Sequence, residues 1–276
     1  MPNHALRNAI EDFLRSSYRE IARARFSLGR RIGSGASKIV YEGTLDGSRC
    51  VAVLQMKPGA ASLDQEASMM LKLSRHPNLV RFWGSCNEGG EQFILTELAQ
   101  HGSVLKVVEE LHDVGQRLSP RHKIEIMRQV ASACEALALE GIVHRDIAAR
   151  NVLLSIFDPS APSSTVAKVS DFGMSVSAYG RSSLTVDGGT VPMRWMSPES
   201  LQRRRWSEKS DVWSFGVFCW ELLSDGELPF ASIGSDAEVH RIVLQGQRLE
   251  KPSGCDEGLR SVQLLGCNSS RAAGVP

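Results

Sequence analysis

Residues 144–151 read HRDIAARN, and residues 171–173 read DFG. Both sit in the part of the chain where helical spacing dominates, from Ser103 onward, with apolar periodicity over residues 121–140 and 210–223. Upstream, from Phe26 to about residue 97, short strand-like runs alternate with Gly and Asp turns, interrupted once by a helical stretch over Leu63–Leu73. This order predicts a small sheet-rich lobe followed by a larger helical one, with a hinge near residues 97–102. Residues 3–24 place Ala9, Ile10, Phe13, Leu14 and Ile21 at helical spacing, so an amphipathic leader helix packed on the main domain is expected there. The Ser- and Pro-rich run FDPSAPSST, residues 157–165, reads as a solvated loop.

With 276 residues, 42% of them hydrophobic and 23% charged, the chain is long enough to bury a substantial core as one large domain or two packed lobes. Its 32 basic residues balance 31 acidic ones with no long basic block, which argues against a nucleic-acid surface. Cys50, Cys86, Cys134, Cys219, Cys255 and Cys267 are scattered, with no CxxC pair, so neither a zinc site nor a disulfide framework is expected. The N-terminus lacks signal-peptide order, and the most apolar run, residues 215–223, is too short to span a bilayer and contains Glu221. A soluble, cytoplasmic protein with no membrane segment is the expectation.

In chain order the sequence reads IGSGASKIV from Ile32, VAVL from Val51, HRDIAARN from His144, DFG from Asp171 and SPE from Ser197. A glycine-rich loop alone is weak, but this ordered set over about 170 residues is specific. Over roughly residues 26–249 the chain resembles a eukaryotic protein kinase domain of the tyrosine-kinase type. The resemblance implies an α+β, bilobal fold: an antiparallel β-sheet N-lobe with one helix, residues 26–98, and a mainly helical C-lobe, residues 99–250. A leader, residues 1–25, and a divergent or truncated tail, residues 251–276, flank it. In this reading the final helices of the family do not follow residue 249, and the partner arginine expected for Glu199 has only a short match at Arg271.

The resemblance also implies roles. ATP and Mg2+ are the expected cofactors, and a protein hydroxyl is the acceptor. Asp146 is placed to accept the substrate hydroxyl proton, while Asn151 and Asp171 offer hard oxygens to magnesium. Arg145 would pair with a phosphate on the activation segment, on Tyr179, Ser182, Ser183 or Thr185. Ile32, Gly33 and Gly35 belong to the nucleotide loop. Val40, Ala52 and Leu153 match the residues that sandwich adenine. Thr96 limits the back of the pocket, and the backbone of residues 97–99, Glu97 to Ala99, hydrogen-bonds the base. Met70, Phe82, His144 and Phe172 match an apolar column, which makes His144 a core histidine. Asp211, in SDVWSFG, should anchor the catalytic-loop backbone from a buried helix.

Two departures stand out. Where the family carries a lysine on the third strand, this chain has Leu54, and the glutamate that lysine would pair with matches Glu66. A buried carboxylate without a cation is destabilising by about 3–5 kcal/mol. Lys57, three residues on, falls on the opposite strand face and reads as a solvated strand-end lysine. The third glycine of the loop, however, is Lys38, two residues before Val40 and so on the same face. A lysine lost on one strand and gained on its neighbour resembles the with-no-lysine kinases, and it directs Lys38 into the nucleotide site. The alternative is a pseudokinase that serves as a nucleotide-binding, scaffold or allosteric module.

Ala148, two residues after Asp146, stands where serine/threonine kinases usually carry a lysine. VPMRWMSPES, from Val191, has the Pro192 and Trp195 of the platform on which a substrate tyrosine rests. Tyrosine is therefore the expected acceptor. A kinase-fold enzyme acting on a small molecule fits less well, because the activation segment and SPE are both present.

Overall fold

The computed structural model describes residues 20–58, 63–178, 180–186 and 191–252, and the chain divides into two compact units, Met1–Ala99 and Gln100–Pro276. The first unit holds five antiparallel strands, β1 (Phe26–Ser34), β2 (Lys38–Leu45), β3 (Arg49–Met56), β4 (Phe82–Glu88) and β5 (Glu91–Glu97), in the order β1-β2-β3-β5-β4. Tight turns set their register. Asp46 and Gly47 both take positive φ between β2 and β3, as do Gly89 and Gly90 between β4 and β5, the conformation that matches hairpin twist. Helix α1 (Leu63–Leu73) follows β3 at the bounds expected from its periodicity.

Strand alternation gives the sheet two faces. Val51 and Val53 join Phe26, Leu45, Cys86, Phe93 and Leu95 in one apolar cluster. The opposite face carries Lys38, Val40, Ala52, Leu54 and Thr96, as the cross-strand pairs Lys38 with Met56, Val40 with Leu54 and Ala52 with Thr96 require. Helix α1 packs against β4 and β5 and buries Leu63, Ala67, Met70 and Leu73 together with the charged Glu66. Its charge is met from the sheet: Lys38 Nζ pairs with Glu66 Oε1, with the two side chains only 5% and 2% exposed.

The end of the expected leader helix is not helical. Ile21 donates its N–H to the Ser85 carbonyl and sits buried in the first apolar cluster, and Arg23–Arg25 forms a single 3-10 turn. Edge pairing with β4 gives Ile21 both a backbone partner and an apolar pocket, which a helix register would supply only in part. Residues 1–19 of that expectation lie outside the described residues.

The second unit contains α2 (Val104–Asp113), α3 (Pro120–Leu139), the short strands β6 (Ile142–Val143), β7 (Val152–Ile156), β8 (Val166–Val169), β9 (Val176–Ser177) and β10 (Leu184–Thr185), then α4 (Pro198–Arg203), β11 (Arg205–Trp206), α5 (Glu208–Leu223) and α6 (Asp236–Leu244). Side-chain caps start the long helices: Ser103 for α2, Ser119 ahead of Pro120 for α3, and a Ser207–Ser210 capping box for α5. Helix α5 is buried around most of its circumference. Trp213 and Val217 pack with Met196, Leu201, Trp206, Val239 and Val243. No helix among the described residues is long and apolar enough to cross a membrane. Together the five-stranded unit and the helical unit form the expected α+β architecture.

Two substitutions test this packing. A Cβ on Gly43 would stand 2.3 Å from the Ser27 carbonyl oxygen and 2.7 Å from Val53 Cγ2, so Gly43→Ala is expected to destabilise the chain by about 1–3 kcal/mol in urea unfolding. Lys38→Met strands Glu66 and should lose about 3–5 kcal/mol, whereas Lys38→Met with Glu66→Met should recover most of that loss. Additive losses in the double variant would rule out a stabilising role for the pair.

Candidate active site

In the first unit the site begins at the glycine-rich loop. Ile32 and Gly33 lie at the end of β1, Ile32 exposed and Gly33 paired across the sheet with Val40. Gly35 donates its N–H to the Lys38 carbonyl at 2.9 Å, which folds the loop back onto the start of β2. Lys57, partly exposed just past the end of β3 as expected, is also tied to the loop. It donates its backbone N–H to the Ser37 carbonyl and its Nζ to the Gly35 carbonyl, at 2.8 and 2.6 Å. Because Lys38 pairs with Met56, the residue after β3 lands beside the loop that precedes β2.

Lys38 is brought together with Glu66 on the face that holds Val40, Ala52 and Thr96. Leu54 lies on that face diagonally from Lys38, directly opposite Val40, so the leucine and the lysine occupy neighbouring positions. Thr96 is buried and donates from Oγ1 to the Glu97 carbonyl at 3.2 Å. The Glu97 N–H is taken by the Arg81 carbonyl at 2.9 Å, while its side chain accepts from the Arg81 N–H at 2.7 Å. The Ala99 N–H donates to no group among the described residues.

In the second unit, α5 fixes the backbone of residues 144–149. The Asp211 carboxylate accepts from the N–H of His144 at 2.6 Å and of Arg145 at 2.9 Å. Arg145 has φ +72°, a conformation that costs a non-glycine residue about 1–3 kcal/mol and needs such restraint. Burial pushes the Asp211 carboxyl above the usual range, against the pull of His144 and of the two backbone donors. His144 is completely buried, packs ring to ring with Phe172 at 5.2 Å and bonds the Ser170 carbonyl through Nε2, as befits a core histidine.

Asp146 follows at the turn. Its Oδ1 is held by Arg150 and its Oδ2 by Asn151 Nδ2 at 2.7 Å. Asn151 also donates to the Asp146 carbonyl, which leaves its own side-chain carbonyl as the hard donor. Ser170 donates both N–H and Oγ to the Asn151 carbonyl, and Val152 pairs with Val169, so the β7–β8 hairpin brings the residue before Asp171 onto Asn151. Asp171 takes φ +62° and accepts from Gly173 N at 3.2 Å. One amide oxygen and one carboxylate are hard donors that fit magnesium. Leu153, half-buried on β7, pairs with Lys168 on one side and bridges Ser103 on the other.

Arg145 is more enclosed than a free phosphate ligand. Its Nη1 donates to the Met174 carbonyl at 3.0 Å, and its guanidinium lies 4.5 Å from the Trp206 ring centre. Burial lowers its affinity for a proton, and neighbouring Arg204 adds to that effect. Ser183 accepts from Arg205 at 2.6 Å, whereas Tyr179 lies outside the described residues.

Two residues with no role in the sequence reading complete the arrangement. Arg150 lies 4.3 Å over the Trp195 ring while it holds Asp146. Glu221 of α5 accepts from Ala149 N and from Trp195 Nε1 with the same oxygen, at 2.9 Å each. The signal for the first lay inside HRDIAARN. For the second it was a charge in the apolar run of residues 215–223.

A family model described as protein tyrosine and serine/threonine kinase matches residues 26–273. The chain is 32% identical over 248 residues to the tyrosine-protein kinase SRK3 of Spongilla lacustris, covering 89% of this chain and 71% of that protein. It is 32% identical over 251 residues to the human tyrosine-protein kinase FRK, covering 89% and 48%. It is 31% identical over 262 residues to the fibroblast growth factor receptor homolog 1 of Drosophila melanogaster, covering 86% and 34%. The chain thus spans from about a third to about seven tenths of the length of these relatives. On the strength of the match over residues 26–273, this chain belongs to the protein tyrosine and serine/threonine kinase family.

Proposed function

We propose that the chain transfers the γ-phosphoryl group of ATP to a tyrosine hydroxyl of a protein substrate, with magnesium as cofactor. The observation that carries this reading is the buried Lys38–Glu66 ion pair on the strand face shared with Val40, Ala52 and Thr96. A lysine held in place by a carboxylate is what a nucleotide triphosphate needs from the sheet, and here it arrives from β2 in place of Leu54 on β3.

In this reading Val40, Ala52 and Leu153 enclose the adenine, whose edge bonds the Glu97 carbonyl and the Ala99 N–H. Ile32, Gly33 and Gly35 cover the phosphates, and Lys38 neutralises the α and β oxygens. Asn151 and Asp171 hold magnesium. Magnesium held there would supply positive charge that offsets the charge developing on the transferred phosphoryl group. Asp146, oriented by Arg150 and Asn151, accepts the tyrosine hydroxyl proton. As that proton leaves, the phenolic oxygen bonds to the γ phosphorus and the bond from phosphorus to its bridging oxygen breaks, which leaves ADP.

Ala148 and the Pro192 and Trp195 of the platform support tyrosine over serine, as do relatives that are tyrosine-protein kinases. Leu54 favours a second reading, a pseudokinase whose first unit keeps its fold through Lys38–Glu66 and serves as a scaffold.

The test is transfer of labelled γ-phosphate to a tyrosine peptide and to its serine counterpart. The parent chain should label the tyrosine peptide, Lys38→Met should lose about 100- to 1,000-fold, and Lys57→Met should lose less than about tenfold, the worth of one exposed hydrogen bond. Equal rates for the parent and a folded Lys38→Met would refute the assignment, and a parent without transfer would favour the scaffold.

A further inference from the structure

Helix α5 touches the catalytic segment twice. Asp211 holds the backbone before Asp146, and Glu221, 3% exposed, holds it afterwards through the Ala149 N–H. Glu221 differs from Asp211 in that the oxygen that accepts from Ala149 also accepts from the Trp195 indole. The same helix grips Trp195 a second time, because Ser214 Oγ donates to the Trp195 carbonyl at 2.9 Å. Arg150 closes a ring of contacts: it lies over the Trp195 face and pairs with Asp146. Asp146, Arg150, Trp195, Glu221 and Ala149 therefore form one circuit that runs from the proposed proton acceptor to the proposed tyrosine platform and back through α5.

We propose that Glu221 is a positioning residue for the tyrosine-accepting site, setting the Trp195 platform at a fixed place relative to Asp146 by accepting from Trp195 and Ala149 with one carboxylate oxygen. The proposal rests on the reading that Trp195 supports a substrate tyrosine. A buried carboxylate in the last turn of an apolar helix is expensive to keep, and two donors from separate segments give it a task that a leucine could not perform. A charged acceptor also holds both N–H groups more tightly than a neutral one does.

The surroundings make this grip responsive to pH. Burial, with a small push from Asp146, raises the Glu221 carboxyl to about 7 against the pull of the Trp195 and Ala149 N–H donors and of Arg150. The other charges on the packed elements are engaged elsewhere. Lys123 of α3 binds the Leu223 carbonyl and Asp225, and Arg194 binds Asp236 and the carbonyls of Pro229, Phe230 and Ile233. A carboxyl raised above the 4.5 of an exposed glutamate holds its proton in the fold after the unfolded chain has lost it. The fold is therefore favoured by this group at low pH and loses that contribution as pH rises through about 7. Across the same interval the Glu221 charge appears and the grip on Trp195 tightens.

The experiment uses the full chain, Glu221→Gln and Trp195→Phe. The Trp195 indole N–H resonance, assigned by its loss in Trp195→Phe, is followed from about pH 5.5 to 8.5, and steady-state KM values for a tyrosine peptide and for ATP are measured over the same range, with peptide affinity by fluorescence anisotropy. In the parent the indole resonance should titrate with a midpoint near the Glu221 value, and peptide affinity should rise through it. In Glu221→Gln the titration should vanish and peptide KM should rise about tenfold with ATP KM unchanged. Trp195→Phe, which removes the donor and keeps an aromatic face, should give the same KM pattern and decides the matter if Glu221→Gln does not fold. An indole that does not titrate, or a peptide KM equal to the parent's in the folded variants, overturns the role of Glu221. An indole that titrates in a parent that binds no tyrosine peptide overturns the substrate reading instead.

Discussion

A carboxylate on a helix that packs face-down on a sheet must meet a cation or be lost. Glu66 is in that position, and Lys38 meets it from β2 with both side chains almost fully withdrawn from water. Lys38 shares the face of Leu54 because β2 and β3 are antiparallel neighbours in a register that sets Val40 opposite Leu54. Two steps along β2 from Val40 returns to the same face, one diagonal from Leu54. The sheet register thus decides whether Lys38 can reach Glu66 on α1, and the ion pair between them is present.

The second unit solves a comparable problem with a helix in place of a strand. Residues 144–151 form no long regular element, and Arg145 holds a left-handed backbone that would relax if left alone. Asp211 and Glu221 on α5 supply acceptors at the two ends of this segment, and Asn151 and Arg150 bind Asp146 between them. A chemically exacting segment is fixed by side chains from a helix whose own place is set by apolar packing of Trp213 and Val217. Rigid support of this kind is what phosphoryl transfer, dominated by positioning and charge compensation, demands of a protein.

Much of this was legible because it is local. The bounds of α1 and α3, the hairpin at Asp46 and Gly47, and the shared face of Lys38 and Val40 follow from periodicities of 3.6 and 2 and from turn chemistry. Asp211 was legible as an anchor through resemblance of its motif. What escaped depends on partners far apart in the chain. Ile21 has helical spacing, yet its pairing with Ser85 overrides it. Glu221 reads as a stray charge until Ala149 and Trp195 are folded onto it, and no spacing rule links those three positions.

The central claim is that the position of the ammonium group, and not the strand that carries it, determines whether the first unit can serve a nucleotide. The most direct measurement is phosphoryl transfer to a tyrosine peptide by Lys38→Met with Leu54→Lys added, compared with Lys38→Met alone. The account predicts that Leu54→Lys, diagonal to position 38 on the same face, restores transfer to within about tenfold of the parent. A folded double variant as inactive as Lys38→Met, or a Lys38→Met as active as the parent, would contradict it.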